Sequence, residues 1–134
     1  MKMTDVKLIE KAKKASENAY VPYSGFKVGA ALLAKSGKVY LGCNIESASY
    51  SPTNCAERTA FFKAISEGER EFSKIAVVGG KNGDFTDFCT PCGVCRQVMS
   101  EFCSENFTVI LGKNGDEYKS LTLGELLPHS FSLK

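Results

Sequence analysis

The sequence predicts an α/β fold, a three-layer α/β/α sandwich in which helices cover both faces of one mixed five-stranded sheet. Helix-like and strand-like segments follow the order α-β-β-α-β-α-β-β-α along the chain. Two of the strand-like segments consist mainly of apolar residues, which is typical of strands covered on both faces. The length of 134 residues suits one domain, so residues 1–134 are predicted to form a single unit.

The first half of the chain predicts a helix, a hairpin and a second helix. Apolar residues recur at helical spacing over residues 5–19, with lysines and glutamates between them, as in an amphipathic helix. Residues 28–34 and 38–45 flank a Ser36-Gly37 turn and predict a β-hairpin. The alanine- and phenylalanine-rich residues 55–67 predict the second helix, which ends near Gly68.

The second half begins with an apolar strand over residues 74–78. A helix is predicted to start next, with Thr90 as N-cap and Pro91 at the first helical position, and to run to about Cys103. A second apolar strand covers residues 107–111.

The pentapeptide Gly-Lys-Asn-Gly-Asp occurs twice, at residues 80–84 and 112–116, each time just after an apolar strand. Both copies predict turns, because Asn-Gly tolerates the positive φ angles that tight connections need. A last strand over residues 117–120 and a short helix over residues 122–127 complete the order.

The composition excludes several classes of protein. Hydrophobic residues make up 43% and charged residues 24% of the chain, which is ordinary for a globular protein. No apolar stretch approaches the roughly 20 residues that span a bilayer, and the first residues lack the apolar core of a secretory signal. The net charge of +2 is too small to indicate a nucleic acid polymer. A cytoplasmic protein without a membrane or nucleic acid partner is expected.

Six cysteines are the first indication of function, and they are unevenly spaced: Cys43, Cys55, Cys89, Cys92, Cys95 and Cys103. Without an export signal they are expected to be reduced thiols rather than a disulfide framework. Such clustering indicates a metal site or a catalytic thiol.

A metal site is predicted where two helices begin. Cys92 and Cys95 are three residues apart, so both thiols point the same way on a first helical turn. Cys55 supplies a third sulfur if the two helix N-termini converge, and Glu57 follows it closely enough to bend back toward the metal. Three protein ligands with an open fourth position are typical of catalytic zinc.

Spacing alone leaves other interpretations open. A Cys-x-x-Cys pair at a helix start also suits a redox site, and Cys89 extends the pair toward an iron–sulfur ligand pattern. A structural zinc could take Cys89, Cys43 or His129 as a fourth ligand. Glu57 could be part of a capping box with Asn54.

The chain resembles cytidine deaminases of the small, three-cysteine, homotetrameric type over nearly its whole length. A ligand-x-Glu followed by Pro-Cys-x-x-Cys is the signature of zinc deaminases. The motifs that carry the resemblance are Tyr23-Ser-x-Phe26-x-Val28-Gly29-Ala30-Ala31, Gly42-Cys-Asn44-Ile-Glu46, Asn54-Cys-Ala-Glu-Arg-Thr-Ala60, Pro91-Cys-Gly-x-Cys-Arg-Gln97 and Leu126-Leu-Pro-x-x-Phe131.

The resemblance implies one Zn²⁺ per subunit, held by Cys55, Cys92 and Cys95. It implies hydrolytic deamination of cytidine and 2′-deoxycytidine to uridine and 2′-deoxyuridine, in which zinc-activated water attacks C4 and Glu57 carries protons. Pyrimidine salvage is the role that the family suggests.

The resemblance also implies substrate contacts. Asn44 and Glu46 are expected on the ribose 3′-hydroxyl, Phe26 against the pyrimidine ring, and the Ala56 backbone on the base. Neighbouring subunits of a homotetramer are expected to contribute three further residues to each site, namely Ala48, Tyr50 and Phe131.

Two arginines lie close to the cysteines. Three thiolates outweigh Zn²⁺ by one charge, so we expect Arg58, three residues after Cys55, to donate hydrogen bonds to ligand sulfurs. Arg96 is adjacent to Cys95 but faces elsewhere, and is expected at the surface or at an interface.

Three rival functions remain open from sequence. Blasticidin-S deaminase has similar zinc motifs, although the Asn44-x-Glu46 pair favours a nucleoside. A polynucleotide deaminase is disfavoured by the mild charge and the absence of basic–aromatic tracts. A zinc-stabilised binding module without catalysis requires a closed four-ligand site.

Overall fold

The structure is a computed structural model that describes residues 2–134. It contains four helices and five strands within that range, in the order α1 (Asp5–Ser16), β1 (Phe26–Ala34), β2 (Val39–Cys43), α2 (Ala56–Ser66), β3 (Phe72–Lys81), α3 (Gly93–Phe102), β4 (Thr108–Gly112), β5 (Tyr118–Thr122) and α4 (Leu123–Leu126). None of the helices over residues 2–134 has the length and apolar character needed to cross a membrane.

The five strands form one mixed sheet in the order β2-β1-β3-β4-β5. Strands β3 and β4 are parallel, and α3 lies in the connection between them. The other neighbouring pairs are antiparallel. The mixed five-stranded sheet predicted from sequence is confirmed.

The sheet separates two apolar clusters, because side chains alternate between its faces. In β1, Ala30 and Leu32 belong to one cluster, whereas Ala31 belongs to the other. The first cluster contains residues of α2, α3 and α4, and the second contains the apolar face of α1. Helices thus cover both faces of the sheet, and the predicted three layers are confirmed.

Two helix boundaries differ from those predicted. The first helix ends at Ser16, because the amides of residues 17–19 bond to carbonyls three residues back and tighten the chain into a turn. The Thr90 cap is wrong: α3 begins at Gly93 with Cys92 as N-cap. The Arg96 amide donates to Cys92 O at 2.9 Å, and this bond sets the first turn of the helix.

Gly42 allows α2 to lie directly against β2. A Cβ atom at this position would be 2.2 Å from Ala56 O and 2.7 Å from Ala60 N. Both of those atoms belong to the backbone of α2, so they move only if the helix moves. Glycine therefore sets the distance between the sheet and the start of α2.

Gly42→Ala is predicted to lower the free energy of unfolding by about 1–3 kcal/mol, because the added methyl group pushes α2 away from the sheet. Gly93→Ala is the control, since a Cβ there meets open space at the start of α3. That variant should be neutral or up to about 1 kcal/mol more stable. Urea denaturation measures both, and a wild-type midpoint for Gly42→Ala would contradict the close approach.

Candidate active site

Three cysteine sulfurs meet where α2 and α3 begin. Cys55 is the N-cap of α2, Cys92 is the N-cap of α3, and Cys95 is in the first turn of α3. Their Sγ atoms all lie within 4.8 Å of one another, and those of Cys55 and Cys92 are 3.7 Å apart. We call these three residues the three-sulfur cluster.

The three-sulfur cluster fits zinc. Zn–S bonds of about 2.3 Å in a tetrahedral arrangement place the sulfurs roughly 3.8 Å apart, close to the observed spacing of Cys55 and Cys92. The cluster has three members, and Cys43, Cys89 and His129 are not among them. His129 is exposed. The four-ligand arrangement of a structural zinc is therefore not what these residues form.

Two sources of positive charge offset the charge of the sulfurs. The N-termini of α2 and α3 both point at the cluster, where their partial positive charge stabilises thiolates. Arg58 Nη2 also donates a hydrogen bond to Cys55 Sγ at 3.2 Å. Arg58 Nε is buried and has no hydrogen-bond partner in the described part of the chain.

The thiols themselves are strongly coupled. The hydrogen bond between the Cys55 and Cys95 side chains lowers the pKa of Cys55 to about 5, and the Arg58 contact adds to this shift. The same bond raises the pKa of Cys95. The side chains of Cys55 and Cys95 are therefore in direct contact, as two ligands of one cation would be.

Glu57 is a buried carboxyl group beside the cluster. Only 4% of the residue is exposed, and this burial raises the pKa of Glu57 to about 7. The capping-box interpretation of Glu57 is wrong, because the N-cap is Cys55 and the Asn54 side chain donates instead to Thr59 Oγ1. A carboxyl group that titrates near neutral pH suits proton transfer.

A cavity of about 200 Å³ opens beside the cluster, and we call it the site cavity. It is lined by Val28, Asn44, Glu46, Thr53, Asn54, Cys55, Ala56, Glu57, Cys89, Thr90 and Cys92. Cys89 also lines a neighbouring cavity of about 500 Å³, together with Phe26 and Lys81. Sulfur ligands, a buried carboxyl group and polar side chains therefore face the same space.

Asn44 and Glu46 enter the site cavity but also hold the local backbone. Asn44 Oδ1 accepts from Val28 N at 2.9 Å, and Asn44 Nδ2 donates to Phe26 O at 2.8 Å. Glu46 accepts from the amides of Tyr23 and Ser24. These bonds lower the pKa of Glu46, with the Ser24 hydroxyl making the largest contribution, so the side chain is an anion at neutral pH. Both side chains keep unused hydrogen-bonding capacity for a ligand.

The remaining predicted contacts lie outside the site cavity of this chain. Phe26 is 40% exposed and lines the neighbouring cavity. Tyr50 is 84% and Phe131 is 68% exposed, and Ala48 is exposed as well. None of these four residues is among those that line the site cavity.

Sequence reasoning missed how the connecting loop (residues 82–92) is held. Asn114 Oδ1 accepts from Phe85 N at 3.2 Å, and Asn114 Nδ2 donates to Asp84 Oδ1 at 2.7 Å. Asp84 and Asn114 belong to the two copies of the repeated pentapeptide. Because these copies follow neighbouring parallel strands, the repeat itself was a usable signal for their contact.

Comparisons with known proteins agree with this geometry. The family model for the cytidine and deoxycytidylate deaminase zinc-binding region matches residues 2–111. A cytidine deaminase from Sporosarcina psychrophila is 54% identical over 126 residues, covering 94% of this chain and 90% of the relative. One from Halalkalibacterium halodurans is 54% identical over 125 residues, covering 93% and 92%.

A solved structure has the same fold. The crystal structure of cytidine deaminase from Burkholderia pseudomallei matches with a TM-score of 0.89 and 50% identity, covering 96% of this chain and 100% of the other. The family model, the relatives and the shared fold all agree with a zinc site at the three-sulfur cluster. This chain therefore belongs to the zinc-binding cytidine and deoxycytidylate deaminase family.

Proposed function

We propose that this protein hydrolyses cytidine and 2′-deoxycytidine to uridine and 2′-deoxyuridine with release of ammonia. One observation carries the proposal: the three-sulfur cluster and the buried Glu57 line the same cavity as Asn44 and Glu46. A cation site, a proton carrier and polar groups suited to a sugar are the parts that a nucleoside deaminase needs.

Cys55, Cys92 and Cys95 hold one Zn²⁺ per chain in this proposal. Zinc, when bound, supplies Lewis acidity, which makes water a nucleophile at neutral pH. Glu57 accepts a proton at its carboxylate from the water that adds to C4, delivers it to N3 of the ring, and assists protonation of the departing amine. The burial of Glu57 supports this role, since its raised pKa lets the group both accept and donate near neutral pH.

Arg58 reduces the electron donation of the ligand sulfurs in this proposal. Its bond to Cys55 Sγ withdraws charge from a sulfur that would otherwise make the metal a weaker Lewis acid. The two helix N-termini act in the same direction. Both effects preserve the Lewis acidity of zinc although its three protein ligands are thiolates.

Asn44 and Glu46 bind the ribose 3′-hydroxyl in this proposal, with an amide and a carboxylate fixing its lone pair and its proton. The support is that both side chains line the site cavity. Ala56 contacts the base through its backbone, because its N–H lies in the first turn of α2 and lacks an intrahelical acceptor. Phe26 packs against the pyrimidine ring from the side of the neighbouring cavity.

We infer a homotetramer of single-domain subunits that share their active sites. Ala48 and Tyr50 approach the sugar of a neighbouring subunit, and Phe131 covers the base in another. The high exposure of Tyr50 and Phe131 in the isolated chain supports this inference, because large exposed aromatic side chains are typical of interfaces. A reducing compartment, the cytoplasm, suits a protein whose six cysteines are all free.

The deciding experiment follows the ultraviolet absorbance of cytidine mixed with purified, zinc-assayed protein, with released ammonia as the second readout. Loss of the cytidine band with one ammonia per nucleoside supports the proposal. Turnover of blasticidin S with cytidine untouched would assign the site to the sister activity. A protein that holds zinc and deaminates neither would be a binding module.

Glu57→Gln is predicted to retain zinc and to lower kcat for cytidine by about 10²–10⁴, because the amide cannot carry a proton. Metal analysis and the absorbance assay measure the two effects on the same sample. Loss of zinc from Glu57→Gln would instead assign Glu57 a structural role.

Arg58→Ala is predicted to weaken zinc binding by about 10–100-fold and to slow turnover, because the sulfur of Cys55 loses its charged donor. Arg58→Lys keeps the positive charge but not the planar guanidinium group. Its zinc affinity and turnover should lie between those of Arg58→Ala and wild type. Competition with a chelator measures the affinity. Wild-type zinc retention together with wild-type turnover in Arg58→Ala would rule out the role.

The stability of the metal-free protein is predicted to fall between about pH 4.5 and pH 7 because of Glu57. In this range the unfolded carboxyl group loses its proton while the buried one, with a pKa of about 7, keeps it. The unfolded state then binds fewer protons, so folding loses up to roughly 3 kcal/mol. In urea denaturation, the free energy of unfolding of Glu57→Gln should increase relative to that of wild type between pH 5 and pH 8. A difference between the two proteins that does not change with pH would contradict the raised pKa of Glu57.

A further inference from the structure

Arg96, expected at the surface or at an interface, donates hydrogen bonds to two backbone carbonyl groups of its own chain. It is half-buried in α3, directly after the ligand Cys95. Its Nε donates to Pro91 O at 2.7 Å, and its Nη1 donates to Leu126 O at 2.6 Å. One guanidinium group therefore joins two parts of the chain that are far apart in sequence.

The two carbonyl groups belong to functionally distinct segments. Pro91 is buried and comes immediately before Cys92, so its carbonyl group marks the end of the connecting loop. Leu126 is the last residue of α4, where a carbonyl group has no partner within the helix. The C-terminal segment (residues 127–134) begins directly after it.

The next side chain of α3 contacts the same C-terminal segment. Gln97 Nε2 donates to Phe131 O at 3.3 Å. Arg96 thus fixes the start of the segment, and Gln97 fixes the residue that is proposed to cover the base in a neighbouring subunit. Both contacts originate from the helix that contributes two of the three sulfurs.

We propose that Arg96 is a positioning residue that couples the metal ligand Cys92 to the C-terminal segment. This inference rests on the proposed function, because Cys92 as a zinc ligand and Phe131 as a substrate contact belong to it. The guanidinium group presents two donors in a fixed plane, so the carbonyl groups of Pro91 and Leu126 are held at one distance from each other.

Removal of the guanidinium group has two consequences. The buried Pro91 carbonyl loses its charged donor, which leaves an acceptor poorly satisfied next to Cys92. The exposed Cys92 thiolate then has more freedom to leave the metal. The C-terminal segment loses its anchor at Leu126 at the same time.

Zinc release into a chromogenic chelator tests the first consequence on the intact zinc-loaded protein. Arg96→Ala is expected to release zinc about tenfold faster than wild type, within the range found for residues that orient metal ligands. Arg70→Ala is the matched control, because Arg70 Nη1 also donates to two backbone carbonyls, of Ile65 and Glu69, at the far end of α2. Its release rate should equal that of wild type.

Hydrogen exchange and kinetics test the second consequence. The Leu127 amide, which donates to Leu123 O at 2.8 Å at the end of α4, is expected to exchange several-fold faster in Arg96→Ala. The KM for cytidine should rise more than kcat falls. Gln97→Ala should raise KM in the same way without changing zinc release, because it frees only the Phe131 end. Arg96→Lys, which can reach one carbonyl group, should be intermediate and serves as the main variant if Arg96→Ala does not fold.

Wild-type zinc release in Arg96→Ala, or equal acceleration in Arg70→Ala, would overturn the coupling. Fast release with unchanged exchange at the Leu127 amide would overturn it too, since Arg96 would then act on the metal alone. Zinc release and exchange need no turnover. A protein that deaminates nothing but still shows both effects would refute the proposed function and leave the coupling in place.

Discussion

The convergence of two helix N-termini is the constraint on which the site depends. Cys55 and Cys92 each stand at an N-cap, a position that serine, threonine, asparagine or aspartate usually fills. Neither sulfur caps its own helix. The unsatisfied amides and the dipoles of both helices are directed instead at one small volume, where they stabilise negative sulfur. Local helix stability is thus reduced in favour of a shared electrostatic site.

The sheet places those helix ends through close backbone contacts. Gly42 lets the backbone of α2 contact the backbone of β2. The path of β2 therefore determines where Cys55 lies. The parallel pair β3–β4 brings α3 back across the same face. The connecting loop is held at one end by Asn114 and at the other by Arg96, and Cys89, Thr90 and Cys92 toward its C-terminal end line the site cavity. Residues outside the cavity therefore determine its shape.

The sequence predicted what depends on periodicity and spacing, and it missed what depends on long-range contacts. The hairpin and the mixed sheet follow from turn residues and the order of the elements, and the Cys92–Cys95 pair follows from its three-residue spacing. The third ligand, Cys55, was implied by the family resemblance. The start of α3 was misplaced, because Thr90-Pro91 satisfies local capping rules that the Cys92–Arg96 backbone bond overrides. Arg96 could not be interpreted from sequence, since its acceptor at Leu126 lies 30 residues away. The internal bonds of Asn44 and Glu46 were missed for the same reason.

The sequence separation within the three-sulfur cluster has a consequence for the stability of the fold. Cys55 and Cys92 are 37 residues apart, and the whole of β3 lies between them. Bringing the two ends of such a loop together in an unfolded chain costs conformational entropy. In the native state the packed sheet already holds these ends together. The native topology, with β3 between β1 and β4, brings the three sulfurs within reach of one ion, and the free energy of ion binding adds to that of folding. Ion binding therefore favours the native topology over arrangements of the chain that do not bring the three sulfurs together.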